Sequence, residues 1–328
     1  MTAESAGRRR EVVSRLVVDR RPQLLAALIV ITIVMSVISP FFFRLDNLLS
    51  MTQYGVVVGV LAIGQALVIL GGGGGIDLSV GGQLSFIGIV MAAMTMGGVS
   101  PWMAAGCAIV LGACIGAINA TLIAIFKLPA LIVTLGTQFL FASLALVVSA
   151  GNSIGVFSAD GFPFLGQGGL IGIPVQVLLV LLPLFVVVIW IQSRTTLGQV
   201  LFQVGLNSRA ASLVGVRPST VRFFLYVISG VLAAVGAIVT NSWLQTASPT
   251  AGDGYELQSI TVAVLGGISI AGGRGRLTGV LLALLIVVVL DSGLQLANVG
   301  NTVQGGILGI VLIIALLVNF ILNRRTST

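Results

Sequence analysis

Ten long apolar stretches with very few charged residues follow one another along the chain. One helical crossing of the hydrocarbon core of a bilayer takes about 20 such residues, so each stretch is a candidate membrane span. Only 8% of all residues are charged, whereas a soluble domain carries about 25%. That scarcity excludes a soluble enzyme, a disordered chain and a nucleic-acid-binding protein. The stretches cover roughly residues 24–43, 54–70, 83–98, 102–126, 131–150, 174–192, 221–243, 258–271, 277–298 and 303–322.

These stretches predict an all-α multi-pass membrane protein with about ten transmembrane helices. The third and eighth stretches are the shortest and lie beside glycine clusters, as the broken helices of transporters do. A faint repeat accompanies them, because residues 69–72 and 264–267 both end an apolar run with a glycine pair. We therefore expect two halves of opposite orientation, made of spans 2–5 and spans 7–10.

The basic residues indicate how the chain is oriented in the membrane. There are 16 of them, and no histidine. If the N-terminus is inside and the spans alternate, only Arg44 falls outside, which is a strong positive-inside pattern. The net charge of +7 is then a signal of membrane orientation rather than a polyanion-binding surface. The residues placed inside are Arg8, Arg9, Arg10, Arg15, Arg20, Arg21, Lys127, Arg194, Arg209, Arg217, Arg222, Arg274, Arg276, Arg324 and Arg325.

This topology divides the chain into a cytoplasmic tail over 1–23, a transmembrane domain over 24–322 and a second cytoplasmic tail over 323–328. The first apolar stretch is followed by no convincing small-residue cleavage site, so we expect it to be retained as the first span.

Several kinds of chemistry are excluded by residue types. Without histidine there is no Ser-His-Asp triad, no His-ligated metal and no His proton switch. No G-x-x-x-x-G-K-[ST] motif occurs, so the sequence offers no P-loop site for ATP hydrolysis, and we expect neither an enzyme nor a metal or cofactor bound by this chain. Cys107 and Cys114 are interpreted as small packing residues in an apolar segment rather than as a disulfide.

The longest predicted cytoplasmic connection, 193–221, contains a short amphipathic helix over 206–213. Asn207 or Ser208 would cap its start, and Gly215 with Pro218 would end it. A capped helix on the surface between two spans is either a docking element for a cytoplasmic partner or an ordinary interfacial linker.

Three stretches together resemble one family. They are residues 74–81 (GGIDLSVG), the segment from Leu197 to Gly215, and residues 247–257 (ASPTAGDGYEL) with the glycines that follow. Asn119 and the run 129–136 (PALIVTLG) also fit. The chain is similar, from about residue 40 to 320, to the ribose/xylose/galactose-type (monosaccharide, including autoinducer-2) permeases of bacterial ABC importers.

The resemblance implies a role and a set of partners. The chain would form the pore of a bacterial inner-membrane importer for a small neutral sugar, pentose-like, hexose-like or autoinducer-2-like. Two permease chains would pair, by default as a homodimer. Two cytoplasmic ABC ATPases, holding ATP and magnesium, would dock below, and an external sugar-binding protein above. The 206–213 helix would then be the coupling helix, with the ATPase-coupling candidates Asn207, Ser208, Arg209, Ala210, Ala211, Leu213 and Gly215.

Two other function classes make different demands on the sequence. An ATP-independent secondary transporter or channel would show buried acid–base pairs along the spans, and apart from Asp291 none are evident. A membrane-embedded enzyme would need clusters of catalytic carboxylates or histidines, which the sequence lacks.

A pore for a neutral sugar needs polar, uncharged side chains that exchange hydrogen bonds with sugar hydroxyls without holding them tightly. Each candidate could instead form a helix–helix hydrogen bond, worth about 0.6–2 kcal/mol. Asp291 either lies at the pore entrance or is exposed at the interface, since a mid-membrane carboxylate costs about 2.5–3.5 kcal/mol. The translocation-path candidates are Gln65, Asn119, Thr137, Gln138, Asn241, Gln245, Asp291 and Gln304.

The glycine-rich run 71–75 is interpreted as a backbone break between spans 2 and 3, with Gly74 and Gly75 at its end. Asp77 and Ser79 would cap the positive N-terminus of span 3. For Asp77, direct contact with the sugar is the alternative.

The predicted outer loop 244–257 carries two acids, Asp253 and Glu256. They are candidates for docking the binding protein through salt bridges. The alternative is a solvated turn.

Overall fold

The computed structural model describes residues 21–155, 161–170 and 172–325, and this part of the chain is almost entirely helical. Short π-helical turns extend α4 over Thr121–Ile125 and lead into α7 over Val177–Leu181. Gly169–Leu170 (β1) pairs antiparallel with Ile173–Pro174 (β2). The helices are Arg21–Ile38 (α1), Leu45–Leu70 (α2), Val80–Met96 (α3), Pro101–Ala120 (α4), Ala130–Val148 (α5), Phe162–Gln167 (α6), Leu182–Arg194 (α7), Thr196–Leu206 (α8), Ser208–Leu213 (α9), Pro218–Leu244 (α10), Tyr255–Leu265 (α11), Leu277–Leu296 (α12) and Asn301–Arg325 (α13).

Each of the ten predicted apolar stretches coincides with a helix, which confirms the all-α membrane fold. Within the described residues, seven helices are long and apolar enough to cross a membrane. These are α1, α2, α4, α5, α7, α10 and α12, with α4 and α7 counted together with their π-helical turns. The full number of ten crossings stays a prediction.

The two stretches predicted to be shortest do form short helices. Helix α3 has 17 residues and α11 has 11, so α11 spans only about 16 Å at ~1.5 Å per residue. The predicted end of the eighth stretch at 271 is wrong, because the helix stops at Leu265. Gly266 caps it and Gly267 adopts a φ of 90°, which turns the chain away.

Helices α2 and α10 form the centre of the molecule. Helix α2 packs against α11 and α12, whereas α10 packs against α3 and α4. Helix α3 also packs against α5, and α11 against α13. The long central helix of each half, α2 or α10, therefore packs against helices of the other half.

This packing corrects the internal repeat. The segment that follows α10 and leads into a short helix is 245–254, and it corresponds to the segment 71–79 that follows α2. Residues 264–267 instead end α11, so their likeness to 69–72 does not mark equivalent positions in the two halves.

The periphery presents apolar side chains to the surroundings. Val37 of α1 is 80% exposed and Val147 of α5 is 74% exposed. Such a surface suits contact with lipid tails rather than water. Cys107 and Cys114 form no disulfide with each other, and both are exposed on α4 rather than packed against other residues of the chain.

The predicted terminal tails lie mostly outside the described residues. This applies to residues 326–328 and to the side chains of Arg324 and Arg325. It also applies to Arg8, Arg9, Arg10, Arg15 and Arg20.

Candidate functional site

The glycine-rich run 71–75 turns the chain between α2 and α3. Gly72, Gly73 and Gly74 have φ values of 67°, 69° and 73°, a backbone region that glycine adopts without strain. Gly75 lies so close to the end of α2 that an added Cβ would be 2.8 Å from the carbonyl oxygen of Val68. The run therefore needs glycine both for its backbone angles and for its tight packing.

Asp77 is fully buried at the centre of a polar cluster. Its Oδ1 accepts hydrogen bonds from the backbone N–H of Ser79 at 3.1 Å and from the Ser79 hydroxyl. Its Oδ2 accepts from the Ser229 hydroxyl of α10 at 2.7 Å. Ser79 Oγ in turn accepts from Gln83 Nε2 at 2.6 Å and Asn119 Nδ2 at 2.8 Å. The cluster ties two helices, α4 and α10, to the start of α3.

The predicted cap by Ser79 is not formed, because its hydroxyl donates to Asp77 and binds none of the first backbone N–H groups of α3. Asp77 binds the N–H of Ser79, the residue before the helix. Both oxygens of Asp77 are satisfied by protein groups, which fits an anchor for the 71–79 segment rather than a sugar ligand.

The first turn of α3 is closed by a side chain from another helix. Gln138 of α5 accepts a hydrogen bond through Oε1 from the N–H of Gly82, at 2.6 Å. This bond satisfies one of the unpaired N–H groups that every helix has at its start. Gln138 thus has a structural partner in addition to its predicted place on the translocation path.

The start of α3 also meets the segment that leads into α11. The N–H of Gly252 donates to Ser85 Oγ at 2.9 Å. The backbones of Gly81 and Gly252 touch, since a Cβ added to Gly252 would lie 1.9 Å from the Gly81 carbonyl oxygen. The start of α3 and the segment that leads into α11 therefore come together between the two halves.

The structure separates the two acids of the outer loop. Asp253 is exposed, whereas Glu256 is half-buried. Glu256 Oε2 would be 2.5 Å from a Cβ at Gly81 and has no hydrogen-bond partner among the described residues. Docking of a binding protein stays a prediction, and Asp253 is the better placed of the two for it.

Asp291 lies in a second polar cluster, between α2, α11 and α12. The Tyr54 hydroxyl is 2.7 Å from Gln258 Oε1 and 3.3 Å from Asp291 Oδ2. Gln258 Nε2 donates to Asp291 Oδ2 at 3.3 Å, and Asp291 Oδ1 has no partner within the described part of the chain. The Asp291 side chain is only 7% exposed. The alternative of plain interfacial exposure is therefore wrong, since neighbouring helices enclose the carboxylate.

The remaining path candidates do not share one surface. Asn241 donates to the carbonyl of Gly88 at 3.0 Å and so joins α10 to α3. Thr137, Gln245 and Gln304 bind carbonyls of their own helices or of the residues beside them. Gln65 is completely buried, and neither of its amide atoms has a partner among the described residues. For most of these residues the structure shows the hydrogen bonds between or within helices that were the alternative reading.

The segment 193–221 folds into two helices before α10 begins. Asn207 is extended, with φ −155° and ψ 94°, so the predicted start at 206 is wrong and α9 begins at Ser208. Asn207 Oδ1 accepts from the N–H groups of Arg209 at 3.1 Å and Ala210 at 3.0 Å. Gly215 has a φ of 88° beyond the helix end, whereas Pro218 starts α10.

Helix α9 shows one buried and one exposed side. Ala211 is 3% exposed and packs against the protein, whereas Leu213 is 85% exposed. Val214, just after the helix, is 73% exposed. An exposed apolar tip next to Arg209 is compatible with both predictions for this helix, a docking element or an interfacial linker.

A cavity of about 480 Å³ lies beside α9. Its walls come from the glycine-rich run, the α4–α5 connection with Lys127, and the first turns of α10. Arg222 and Ser212 also face it.

Several residues of these clusters were missed from the sequence. Gln83 lies four residues after Ser79, a spacing that brings side chains together on a helix. No local spacing links Ser229 to Asp77 or Tyr54 to Asp291. A polar residue within an apolar stretch was the available signal, and it marks a site without naming its partner.

Known proteins are similar to this chain over most of its length. Residues 47–316 match the family model described as branched-chain amino acid transport system / permease component. The ribose import permease protein of Bacillus subtilis (strain 168) is 37% identical over 306 residues, which covers 92% of this chain and 91% of that protein. The ribose import permease protein of Escherichia coli (strain K12) is 34% identical over 322 residues, covering 97% and 99%.

A further relative has a different cargo in its name. The autoinducer 2 import system permease protein of Escherichia coli O9:H4 (strain HS) is 34% identical over 296 residues, covering 88% of this chain and 89% of that protein. No solved structure matches the chain.

Proposed function

Because the chain belongs to the family of branched-chain amino acid transport system permease components, we propose that it is the membrane-spanning permease subunit of an ABC importer for a small neutral sugar. The observation that carries this proposal is the similarity to ribose import permeases along 92–97% of the chain. ATP would be hydrolysed on separate ATPase subunits, which bind ATP and magnesium.

A sugar cargo fits the character of the buried polar groups. Amides and hydroxyls dominate them. Of the two buried aspartates, Asp77 has partners for both oxygens, and Asp291 has partners for Oδ2 but none for Oδ1 among the described residues. A zwitterionic amino acid would need fixed charges for its ammonium and carboxylate groups, whereas sugar hydroxyls need only neutral donors and acceptors. Ribose is therefore the first cargo to test, and an autoinducer-2-like sugar is the second.

The ATPase would dock on the exposed tip of α9. Leu213 and Val214 offer apolar contacts, Arg209 a charge, and the Asn207 cap holds the helix in shape. We propose Asn207, Ser208, Arg209, Ala210, Ala211, Leu213 and Gly215 as the coupling residues.

The assembly would follow the pattern of the family. Two permease chains pair, by default as a homodimer, within the bacterial inner membrane and with both termini in the cytoplasm. An extracytoplasmic sugar-binding protein docks on the opposite face, where the exposed Asp253 is available for a salt bridge.

The test is transport by the purified chain in proteoliposomes, together with the ABC ATPase and the binding protein of the same organism. We expect uptake of labelled ribose that requires ATP inside the vesicle, the ATPase and the binding protein. A parallel arm with labelled leucine distinguishes a sugar cargo from an amino acid cargo.

Uptake by the chain alone under an ion gradient would instead establish the alternative, an ATP-independent secondary transporter or channel for a small polar solute. ATP-dependent uptake of leucine but not of sugars would keep the importer and overturn the sugar.

A further inference from the structure

One face of α10 is hydrogen-bonded along the segment 71–77. Arg222 Nε donates to the carbonyl of Gly71 at 3.2 Å, and the Tyr226 hydroxyl donates to the carbonyl of Ile76 at 3.3 Å. Ser229 donates to Asp77 at 2.7 Å. The three donors lie four and three residues apart, which puts them on the same side of the helix. Helix α10 thus fixes both ends of the irregular segment.

The guanidinium of Arg222 lies directly on the glycine-rich run. A Cβ added to Gly73 would be 2.6 Å from Arg222 Cζ. Gly71, whose carbonyl accepts from Arg222, follows the last residue of α2. Helix-end carbonyls have no partner within their own helix, so this one is free to bind the guanidinium.

The other side of the same guanidinium reaches the proposed coupling helix. Arg222 Nη2 donates to Ser208 Oγ at 2.6 Å, and the Ser208 hydroxyl donates to the carbonyl of Val204 at 2.9 Å. Ser208 is the first residue of α9. One planar group with fixed donor directions therefore holds α9 and the end of α2 at a set distance.

A separate contact holds the neighbouring helix α8. A Cβ added to Gly205 would lie 2.1 Å from the carbonyl oxygen of Leu70. The N–H of Gly273 donates to that same carbonyl at 3.0 Å. This backbone junction fixes the end of α8, whereas the side chain of Arg222 joins α9 itself to the segment 71–79.

We propose that Arg222 is the positioning residue that transmits movement of α9 to the segment 71–79 and, through it, to the start of α3. This inference rests on the proposed function, in which an ATPase moves α9. Displacement of Ser208 would shift the guanidinium and with it the carbonyl of Gly71. The Asp77 cluster then transfers that shift to α3, because Ser79 directly precedes this helix.

The test uses the complete complex in proteoliposomes, with Arg222→Gln, Arg222→Lys and Ser208→Ala. We measure ATP hydrolysed per ribose imported, and hydrogen exchange of residues 71–79 with ATP and with ADP. In Arg222→Gln, we expect ATP hydrolysed per ribose to rise at least about fivefold, the lower end of common coupling energies. The nucleotide-dependent change in exchange at 71–79 should disappear.

The other two variants separate positioning from folding. Arg222→Lys keeps the charge but lacks the planar set of donors, so both measurements should lie between those of the wild type and of Arg222→Gln. Ser208→Ala should lose part of the coupling between ATP hydrolysis and import. The double variant of Arg222→Gln and Ser208→Ala should couple no worse than Arg222→Gln alone, because both substitutions remove the same hydrogen bond.

Arg194→Gln is the matched control. It removes an exposed arginine at the end of α7, and it should leave both measurements at wild-type values. Wild-type coupling ratios and exchange in both Arg222→Gln and Ser208→Ala would overturn the inference. If the wild-type complex hydrolyses ATP but imports no ribose, the proposed cargo fails, and the exchange measurement still decides the role of Arg222.

Discussion

Ser229 of α10 donates a hydrogen bond to Asp77 at 2.7 Å and thereby joins the second half of the chain to the first. The two residues are 152 positions apart in the sequence. Both are buried, so this bond has no competition from water, and losing it leaves polar atoms without partners.

Replacing Asp77 should destabilise the fold. Asp77→Ala leaves Ser79 and Ser229 without their acceptor, and we expect the free energy of unfolding to fall by about 1–3 kcal/mol. Asp77→Asn keeps one acceptor oxygen and should lose less. Unfolding of the detergent-solubilised chain, followed by tryptophan fluorescence, measures the difference. The exposed Asp253→Ala is the control, and equal stability of Asp77→Ala and Asp253→Ala would show that the cluster contributes nothing.

The contact between Gly81 and Gly252 leads to a second prediction. A methyl group at residue 252 would lie 1.9 Å from a carbonyl oxygen, so Gly252→Ala must push the two segments apart. Such overpacking costs about 1–3 kcal/mol. Gly106→Ala is the matched control, since nothing lies within 4 Å of its Cβ position. At residue 106, within α4, alanine should stabilise the helix relative to glycine by up to about 1 kcal/mol. The midpoint of thermal unfolding should be highest for Gly106→Ala, lower for the wild type and lowest for Gly252→Ala. A midpoint for Gly252→Ala at or above that of the wild type would contradict the close packing.

These contacts show how far the sequence alone reaches. Apolar stretches locate helices because lipid requires every backbone group to be paired within the segment, and Asn207 before Ser208 marks a helix start through local chemistry. Ser79 binds Asp77 locally, but Ser229 and the two partners of Asp291, Tyr54 and Gln258, come from distant helices. Their choice depends on how α2 and α10 cross between the halves, which no local spacing records. The break at 71–75 was predictable because the backbone freedom of glycine acts within the local sequence. The contact of this run with Arg222 was not predictable, because Arg222 lies about 150 positions further along the chain.

The Tyr54–Asp291 cluster makes a third prediction. Tyr54→Phe removes the hydroxyl that lies 2.7 Å from Gln258 and 3.3 Å from Asp291. We expect this variant to unfold more easily, by about 1–3 kcal/mol. Asp291→Asn keeps an acceptor for Gln258 without a buried charge, so its stability should equal or exceed that of the wild type. A greater loss in Asp291→Asn than in Tyr54→Phe, by the same unfolding assay, would mean that the charge itself is required.

The cap of α9 gives a fourth prediction. Asn207→Ala removes the acceptor for two N–H groups, and loss of an N-cap costs about 0.5–2 kcal/mol of helix stability. Hydrogen exchange at Arg209 and Ala210 should become faster in this variant. Ser212→Ala, which removes only a bond to a carbonyl in the same helix, is the control. Unchanged exchange in Asn207→Ala would mean that packing of Ala211, not the cap, holds the helix.

The exposed tip of α9 provides the last prediction. Leu213 is 85% exposed, so its side chain contributes little packing within the isolated chain. Leu213→Ser should therefore leave the free energy of unfolding of the chain unchanged. If an ATPase covers this tip, the same variant should weaken its binding and reduce ATP-dependent uptake, and Arg209→Glu should act likewise. Leu45→Ser is the control, because Leu45 is 68% exposed at the start of α2, on the predicted outer face. Co-purification of the ATPase with each variant measures the effect. Full binding by both Leu213→Ser and Arg209→Glu would move the docking surface away from α9.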